Sequence, residues 1–275
     1  MPRTAKPVLW HIPISHYSEK ARWALAHKGV EHERRAVPGG LHMAVALALT
    51  RGKQKTFPVL ELDGARIGDS TAIIAALEGR FPESPLYPED EAERRRALDL
   101  EEWFDEELGS HIRLWAWHEI TRDRERLEEL TAMQVPAAAG RGRRLASAGA
   151  RSFVNLRYGV KSEEAAELAR RKVVAALDRV ESELEGDYLV GERFTVADLT
   201  AAALLYPIVM PPEGPRLPQG PDALERFRAQ FQGRRAYRWI EDTYRRHRRG
   251  TVEAAGPGES VRASRRRPSG RGPQR

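Results

Sequence analysis

Two serines, Ser15 and Ser18, stand about one helical turn apart in Ser15-His-Tyr-Ser-Glu-Lys20, just beyond an apolar run, and Ser70 follows Asp69 at the head of another apolar-periodic segment. A helix that opens at either place offers free backbone amides and the positive end of its dipole, so an anion such as a thiolate is favoured there. The same positions suit a structural role, because serine and aspartate are preferred N-caps. Cysteine is absent from the 275 residues, which excludes disulfide frameworks, thiolate metal sites and a cysteine nucleophile. The eight histidines show no metal-ligand spacing, so no metal is expected. Neither His-Glu-x-x-His, nor a phosphate-cradling glycine loop, nor a Gly-x-Ser-x-Gly elbow occurs. The chemistry falls to oxygen and nitrogen groups or to a bound cofactor.

The elements that must position these residues alternate in type over the first 80 positions. Residues 7–12 read as a buried strand. Tyr17, Ala21, Ala24 and Leu25 then recur on one helical face, and Gly29 suits a C-terminal cap. Residues 31–37 read as a polar edge strand, and 41–50 as a second helix entered through Pro38-Gly-Gly40. Residues 57–62 and 65–68 flank Asp63-Gly64, the preferred two-residue hairpin turn. Asp69-Ser70-Thr71 then caps a helix with Ile73, Ile74 and Leu77 on its inner face. The order is βαβαββα.

Pro82, Pro85 and Pro88 mark a linker, beyond which strand signals cease. Residues 89–126 read as one long helical stretch. Residues 134–155, interrupted by Gly140, Gly142 and Gly149, read as a broken helix or partly as a loop. Helical spacing resumes over 162–184, Thr195-Val-Ala-Asp198 is a capping box, and 222–248 reads as one further helix. The predicted division is a thiol-binding domain over 1–82, a linker over 83–88, an all-helical domain over 89–249, and a disordered basic tail over 250–275 that lacks leucine, isoleucine and aromatics.

The formal charge of +6 is concentrated in that tail, where Arg262, Arg265, Arg266, Arg267, Arg271 and Arg275 face only Glu253 and Glu259. Elsewhere opposite charges interleave at helical spacing, as in Arg122-Asp-Arg-Glu-Arg-Leu-Glu-Glu. Ser264-Arg-Arg-Arg-Pro268 reads as a solubilising segment, and no nucleic-acid partner is expected. The longest apolar run, Leu199 to Met210, contains Pro207 and is well short of the ~18 residues a membrane helix needs. No secretory signal follows the first residues, so the expected location is cytoplasmic.

The element order, a βαβαββα domain followed by an all-helical one, resembles the glutathione S-transferase superfamily. Four segments carry the likeness: Ser15-His-Tyr-Ser-Glu-Lys-Ala-Arg-Trp-Ala-Leu25, Phe57-Pro-Val-Leu60, Gly68-Asp-Ser-Thr-Ala-Ile73 and Thr195-Val-Ala-Asp198. It spans residues 7–249 and leaves the tail unexplained. It implies an α/β plus all-α protein, a thioredoxin-like domain joined to a helical bundle, of the serine type and bacterial. It further implies glutathione or another low-molecular-weight thiol as co-substrate, a small electrophile, no metal, and a homodimer.

The resemblance assigns the catalytic hydroxyl to Ser15, with Ser18 as runner-up. Lowering a thiol from a pKa of about 8.5 by two units requires about 2.7 kcal/mol. A charge-assisted hydrogen bond worth roughly 1.5–3 kcal/mol, together with the helix end, supplies that. Redox-active relatives carry cysteine where Ser15 or Ser18 stands here, so disulfide exchange by the protein itself is excluded. Asp69 and Ser70 would take the γ-glutamyl group. Phe57 would pair through its backbone, held by a cis bond to Pro58, although only ~5–6% of such bonds are cis. Lys55 would reach the glycyl carboxylate, or else stand solvated. Tyr17, Trp103, His111, Trp115 and Trp117 would line the electrophile pocket between domains, and tryptophans at such spacing equally suit a core. The implied function is a detoxifying transferase. The alternative is a catalytically weak ligand- or protein-binding module of the same fold.

Overall fold

Strand β1 (Val8–His11) lies at the centre of the sheet, with Leu9 and His11 buried on one face and Val8 and Trp10 half-buried on the other. The computed structural model describes residues 6–37, 41–134, 141–160, 162–217, 219–248 and 260–261. Leu9 pairs with Leu60 of β3 (Val59–Leu62), which runs antiparallel, and with Arg34 of the parallel β2 (His32–Ala36). β4 (Ala65–Gly68) closes the hairpin on β3 through the Asp63-Gly64 turn, where both residues take positive φ as that turn requires. A two-residue strand, β5 (Ser260–Val261), adds antiparallel to β2, giving the order β4-β3-β1-β2-β5. The rest of the 250–275 segment, and the Pro38-Gly-Gly40 helix entry, lie outside the described residues.

Helices α1 (His16–His27) and α3 (Ser70–Arg80) cover one face of the sheet. α2 (His42–Thr50) covers the other, over a small cluster of Val37, Ala46, Phe57 and Val59. The linker is itself anchored. Leu86 is fully buried, and its carbonyl accepts a hydrogen bond from Val196 N at 2.9 Å.

The stretch expected as one helix from 89 to 126 is three. α4 (Glu91–Phe104) runs through a π-turn at Asp105–Gly109 into α5 (Ser110–Arg122), and α6 (Arg124–Gln134) follows. Of the 134–155 stretch, expected as a broken helix or partly a loop, residues 135–140 lie outside the described residues and the rest belongs to the continuous helix α7 (Arg141–Tyr158). The glycines inside it carry a modest propensity cost, offset by packing of Val154 and its neighbours. α8 (Glu163–Glu183) starts at the Ser162 cap. α9 (Val196–Val209) is buried on every side, as a helix apolar all round must be. Asp198 closes its capping box, accepting from Thr195 N and Leu189 N at 2.8 Å. The last expected helix divides at Phe231-Gln-Gly233 into α10 (Asp222–Ala229) and α11 (Arg235–His247). There Phe231 turns inward onto Phe227, with ring centroids 4.9 Å apart.

One apolar core runs without interruption from Leu9, Trp23 and Ile73 of the first domain to Phe104, Leu204 and Tyr244 of the second. The two domains therefore share one apolar core, which holds them in one orientation. Among the described residues no helix is long and apolar enough to cross a membrane.

Candidate active site

A cleft of about 1040 Å³ opens where the first domain meets the helices of the second. One wall comprises residues 12, 14–17, 56–58 and 69–71; the other comes from α4, the π-turn, α5, α6 and α7. Ser15, Tyr17, Phe57, Pro58, Asp69 and Ser70 all line it.

Ser15 is the N-cap of α1, in extended backbone, and its Oγ accepts from Ser18 N at 3.3 Å. It is half-buried, so the cap and a cleft-facing hydroxyl coexist in one side chain. Ser18 is fully buried and accepts from Ile12 N at 3.2 Å, and it does not line the cleft. The Phe57–Pro58 bond is cis.

At α3 the two roles are divided between neighbours. Asp69 is the cap, its Oδ1 accepting from Thr71 N at 2.9 Å and Ala72 N at 3.2 Å. Ser70 is the first helical residue, so its hydroxyl is not the cap. Asp69 holds φ at 75°, a region that L-residues occupy at a cost of order 1–3 kcal/mol.

Beneath this wall Lys20 Nζ lies 2.8 Å from Glu101, 2.5 Å from Asp105 and 2.9 Å from Thr71 Oγ1. The Thr71 hydroxyl lies 3.0 Å from Glu101 and 2.8 Å from Asp105. The network ties α1, α3 and α4 together, and the second oxygen of Asp105 is buried without a hydrogen-bond partner.

Tyr17 donates to the carbonyl of Asp105 at 3.1 Å. Burial foremost, and then Asp105, raises its pKa well above the ordinary value. Its proton is thus already placed and held, which sets it apart from the Ser15 hydroxyl. His16, buried with a ring nitrogen 2.9 Å from Gly109 O, is held neutral by desolvation and by Arg113, with its pKa lowered to about 3. Neutral Nε2–H donates to that carbonyl.

The helical wall of the cleft carries an apolar patch. Leu98, Trp117, Leu127, Leu130, Phe153 and Val154 form it, with Arg113 among them. His42 from α2 meets Phe153 from α7 edge-on at 5.4 Å, bringing the two walls together.

Besides Ser18, four residues expected at the site lie elsewhere. Lys55 is exposed and outside the cleft lining. Trp115 is fully buried against Phe227, and Trp103 packs edge-on to Phe104 with the Arg179 guanidinium over its ring. His111 stands beside Glu107 and Lys172, its pKa lowered by burial and then by Lys172. For His111 and Trp115, which follow the π-turn, the reason is phase. A π-turn inserts one residue into the helical count, rotating everything after Gly109 by about 100° relative to α4. Arg113 and Trp117, four residues apart on α5, therefore face the cleft while Trp115 faces the core. Among the described residues no three histidine, aspartate or glutamate side chains group as metal ligands.

Comparison with known proteins accords with this arrangement. Residues 9–85 match the family described as glutathione S-transferase, N-terminal domain, and residues 134–234 match glutathione S-transferase, C-terminal domain. A protein of Dianthus caryophyllus named glutathione S-transferase 1 is 32% identical over 46% of this chain, which spans 66% of that relative, just under two thirds. The maleylacetoacetate isomerase of Dictyostelium discoideum is 27% identical over 73% of this chain and 78% of its own. Among solved structures, glutathione transferase GSTFuA3 of Phanerochaete chrysosporium shares the fold with a TM-score of 0.58 at 18% identity, over 90% of this chain and all of that one. The two domain matches, in this order and around this cleft, place the chain in the glutathione S-transferase superfamily of enzymes.

Proposed function

We propose that the protein binds glutathione, or a closely similar low-molecular-weight thiol, against the first-domain wall of the cleft and directs its sulfur at a small, largely apolar electrophile at the helical wall. The observation that carries this reading is the convergence of two helix N-termini, at Ser15 and at Asp69-Ser70, on one cleft whose helical wall carries an apolar patch. Ser15 Oγ–H donates to the sulfur and, with the α1 dipole, favours the thiolate. Ser70 and the start of α3 take the γ-glutamyl carboxylate. The amino group is met by the Asp69 carboxylate. Phe57 and Pro58 line the edge along which the peptide-like thiol lies. The fully buried Ser18 is not given the sulfur contact, and Lys55 is not given the glycyl carboxylate.

The same reading includes a homodimer, a cytoplasmic location and no nucleic-acid partner. Size-exclusion with light scattering on the full chain tests the dimer, and a monomer at micromolar concentration would refute it.

The deciding experiment for the chemistry is the ultraviolet thiolate absorbance of the protein-glutathione complex as a function of pH. Ser15→Ala should raise the pKa of the bound thiol toward that of free thiol and slow conjugation at neutral pH, with Ser18→Ala as the comparison. An unchanged thiol pKa in Ser15→Ala, with only the ~0.5–2 kcal/mol loss of a cap, would leave Ser15 a structural residue and favour a binding module of this fold.

A further inference from the structure

The three residues before Ser15 are held from inside the protein at successive carbonyls. Arg22 Nη2 donates to Pro13 O at 3.1 Å, and its Nη1 stands 3.5 Å from Ile12 O. The Tyr206 hydroxyl, from α9 of the helical domain, donates to Ile14 O at 2.7 Å. Ile12 N is tied to Ser18 Oγ, and Ser15 N donates to Ile12 O at 3.0 Å. Both holding side chains are fully or almost fully buried.

Arg22 is fixed in turn. Its Nε meets Glu19 at 2.8 Å, and its Nη1 lies 2.8 Å from His11 Nδ1. Glu19, fully buried, takes a second guanidinium from Arg248 at 2.6 Å, just beyond the end of α11. A buried carboxylate between two guanidiniums stays ionised, and its pKa lies below the ordinary value despite burial. None of these side chains lines the cleft, so a role in contacting thiol or electrophile is excluded for them.

We infer that Tyr206 and Arg22, with Glu19 and Arg248 behind them, are positioning residues that fix the 12–14 loop and so aim the Ser15 hydroxyl at the thiol sulfur. This inference rests on the proposed role of Ser15. A hydroxyl at a helix mouth can act as a plain cap over a range of loop positions, but donation to a sulfur requires one. Pinning consecutive carbonyls limits the loop to a single path, and drawing one of the pins from α9 makes that path depend on the docking of the second domain.

The test is a double-mutant cycle between Tyr206→Phe and Ser15→Ala, read by conjugation rate and by the pH dependence of bound-thiolate absorbance. Tyr206→Phe removes one oxygen and keeps the ring in the core. Loss of one hydrogen bond's ordering should lower kcat roughly two- to tenfold and raise the bound-thiol pKa, with KM for glutathione little changed. In the Ser15→Ala background the same substitution should have no further effect on either readout. Arg22→Lys, which keeps the charge beside Glu19 but loses the fork to Pro13 O, should behave likewise and serves if Tyr206→Phe folds poorly. If Ser15→Ala shifts the thiol pKa while Tyr206→Phe and Arg22→Lys change only the melting temperature, the positioning role is overturned and the Ser15 reading stands. Equal effects of Tyr206→Phe with and without the Ser15 hydroxyl would also overturn it. A silent Ser15→Ala would overturn the Ser15 reading, and the positioning role with it.

Discussion

Lys20 and Glu101 meet at 2.8 Å with both side chains out of solvent, one from the first domain and the other from the second. The pair lies under the start of α3, where Thr71 joins it, so the two helix openings at the cleft and the domain interface share one polar support. Such a pair contributes little net stability relative to apolar residues, but removing one member leaves an uncompensated buried charge.

Lys20→Met should therefore destabilise the fold by about 3–5 kcal/mol, and adding Glu101→Leu should restore part of the loss. Asp105 remains as a second carboxylate, which limits the recovery. Urea unfolding of the two variants and the parent measures this; a double variant no more stable than Lys20→Met would show that the two charges are not coupled.

The parts of the site that were legible from sequence are those fixed by local chemistry. Ser15 and Asp69 each open a helix because their side chains meet amides two or three residues on. Asp63-Gly64 sets the hairpin, and Thr195 with Asp198 sets the start of α9. On the electrophile side Tyr17 and Trp117 were expected and line the cleft, but His111 and Trp115 were misplaced, because which face of α5 looks into the cleft depends on the single residue added by the π-turn. Leu127, Leu130 and Phe153 enter the cleft through packing of α6 beside α7, and the glycines of α7 masked its helical periodicity. The Arg22–Glu19–Arg248 chain joins residues more than 220 positions apart, and no local signal marks that.

Asp69 carries two loads that one substitution separates. Asp69→Gly should relieve the positive-φ strain and lose only a few tenths of a kcal/mol as an N-cap, so the melting temperature should stay close to that of the parent. Glutathione affinity should fall at least about tenfold through loss of the carboxylate. Ser70→Ala should likewise weaken binding, by about 1.5–3 kcal/mol, with little change in stability because Ser70 is not the cap. Calorimetric titration and thermal unfolding decide both; intact affinity in both variants would reduce the α3 entrance to a structural feature.

Three buried histidines set an acid limit on stability. Burial foremost lowers the pKa of His11 to about 2, of His16 to about 3 and of His32 to about 4. In the unfolded chain each takes its proton near 6.5, so between pH 6.5 and 4 the unfolded state binds more protons. Stability should accordingly be complete above pH 6.5 and fall as the pH is lowered, by up to about 1.4 kcal/mol per pH unit for each histidine. His16→Gln and His32→Asn supply non-titrating donors to Gly109 O and Val30 O. Each should flatten the urea-unfolding free energy against pH by up to one proton, and parallel curves for parent and variants would refute the assignment.

Gly109 is the place where the π-turn and the cleft wall touch most closely. A Cβ built there would lie 2.0 Å from the Tyr17 hydroxyl and 2.6 Å from its Cζ. The Tyr17 ring cannot simply swing aside, because its hydroxyl is bonded to Asp105 O and its face lies 4.4 Å from the His16 ring, centroid to centroid. Gly109→Ala should thus force Tyr17 off its position and destabilise the protein by about 1–3 kcal/mol, the usual range for overpacking. It should also weaken binding in the cleft, since Tyr17 is part of its wall. In a Tyr17→Ala background the added methyl meets no ring, so the same substitution should cost much less, with a coupling of about 1 kcal/mol or more between the two sites. Urea unfolding of the four proteins gives that coupling directly. Additive effects would mean that the alanine is accommodated by a shift of the π-turn rather than at the expense of Tyr17.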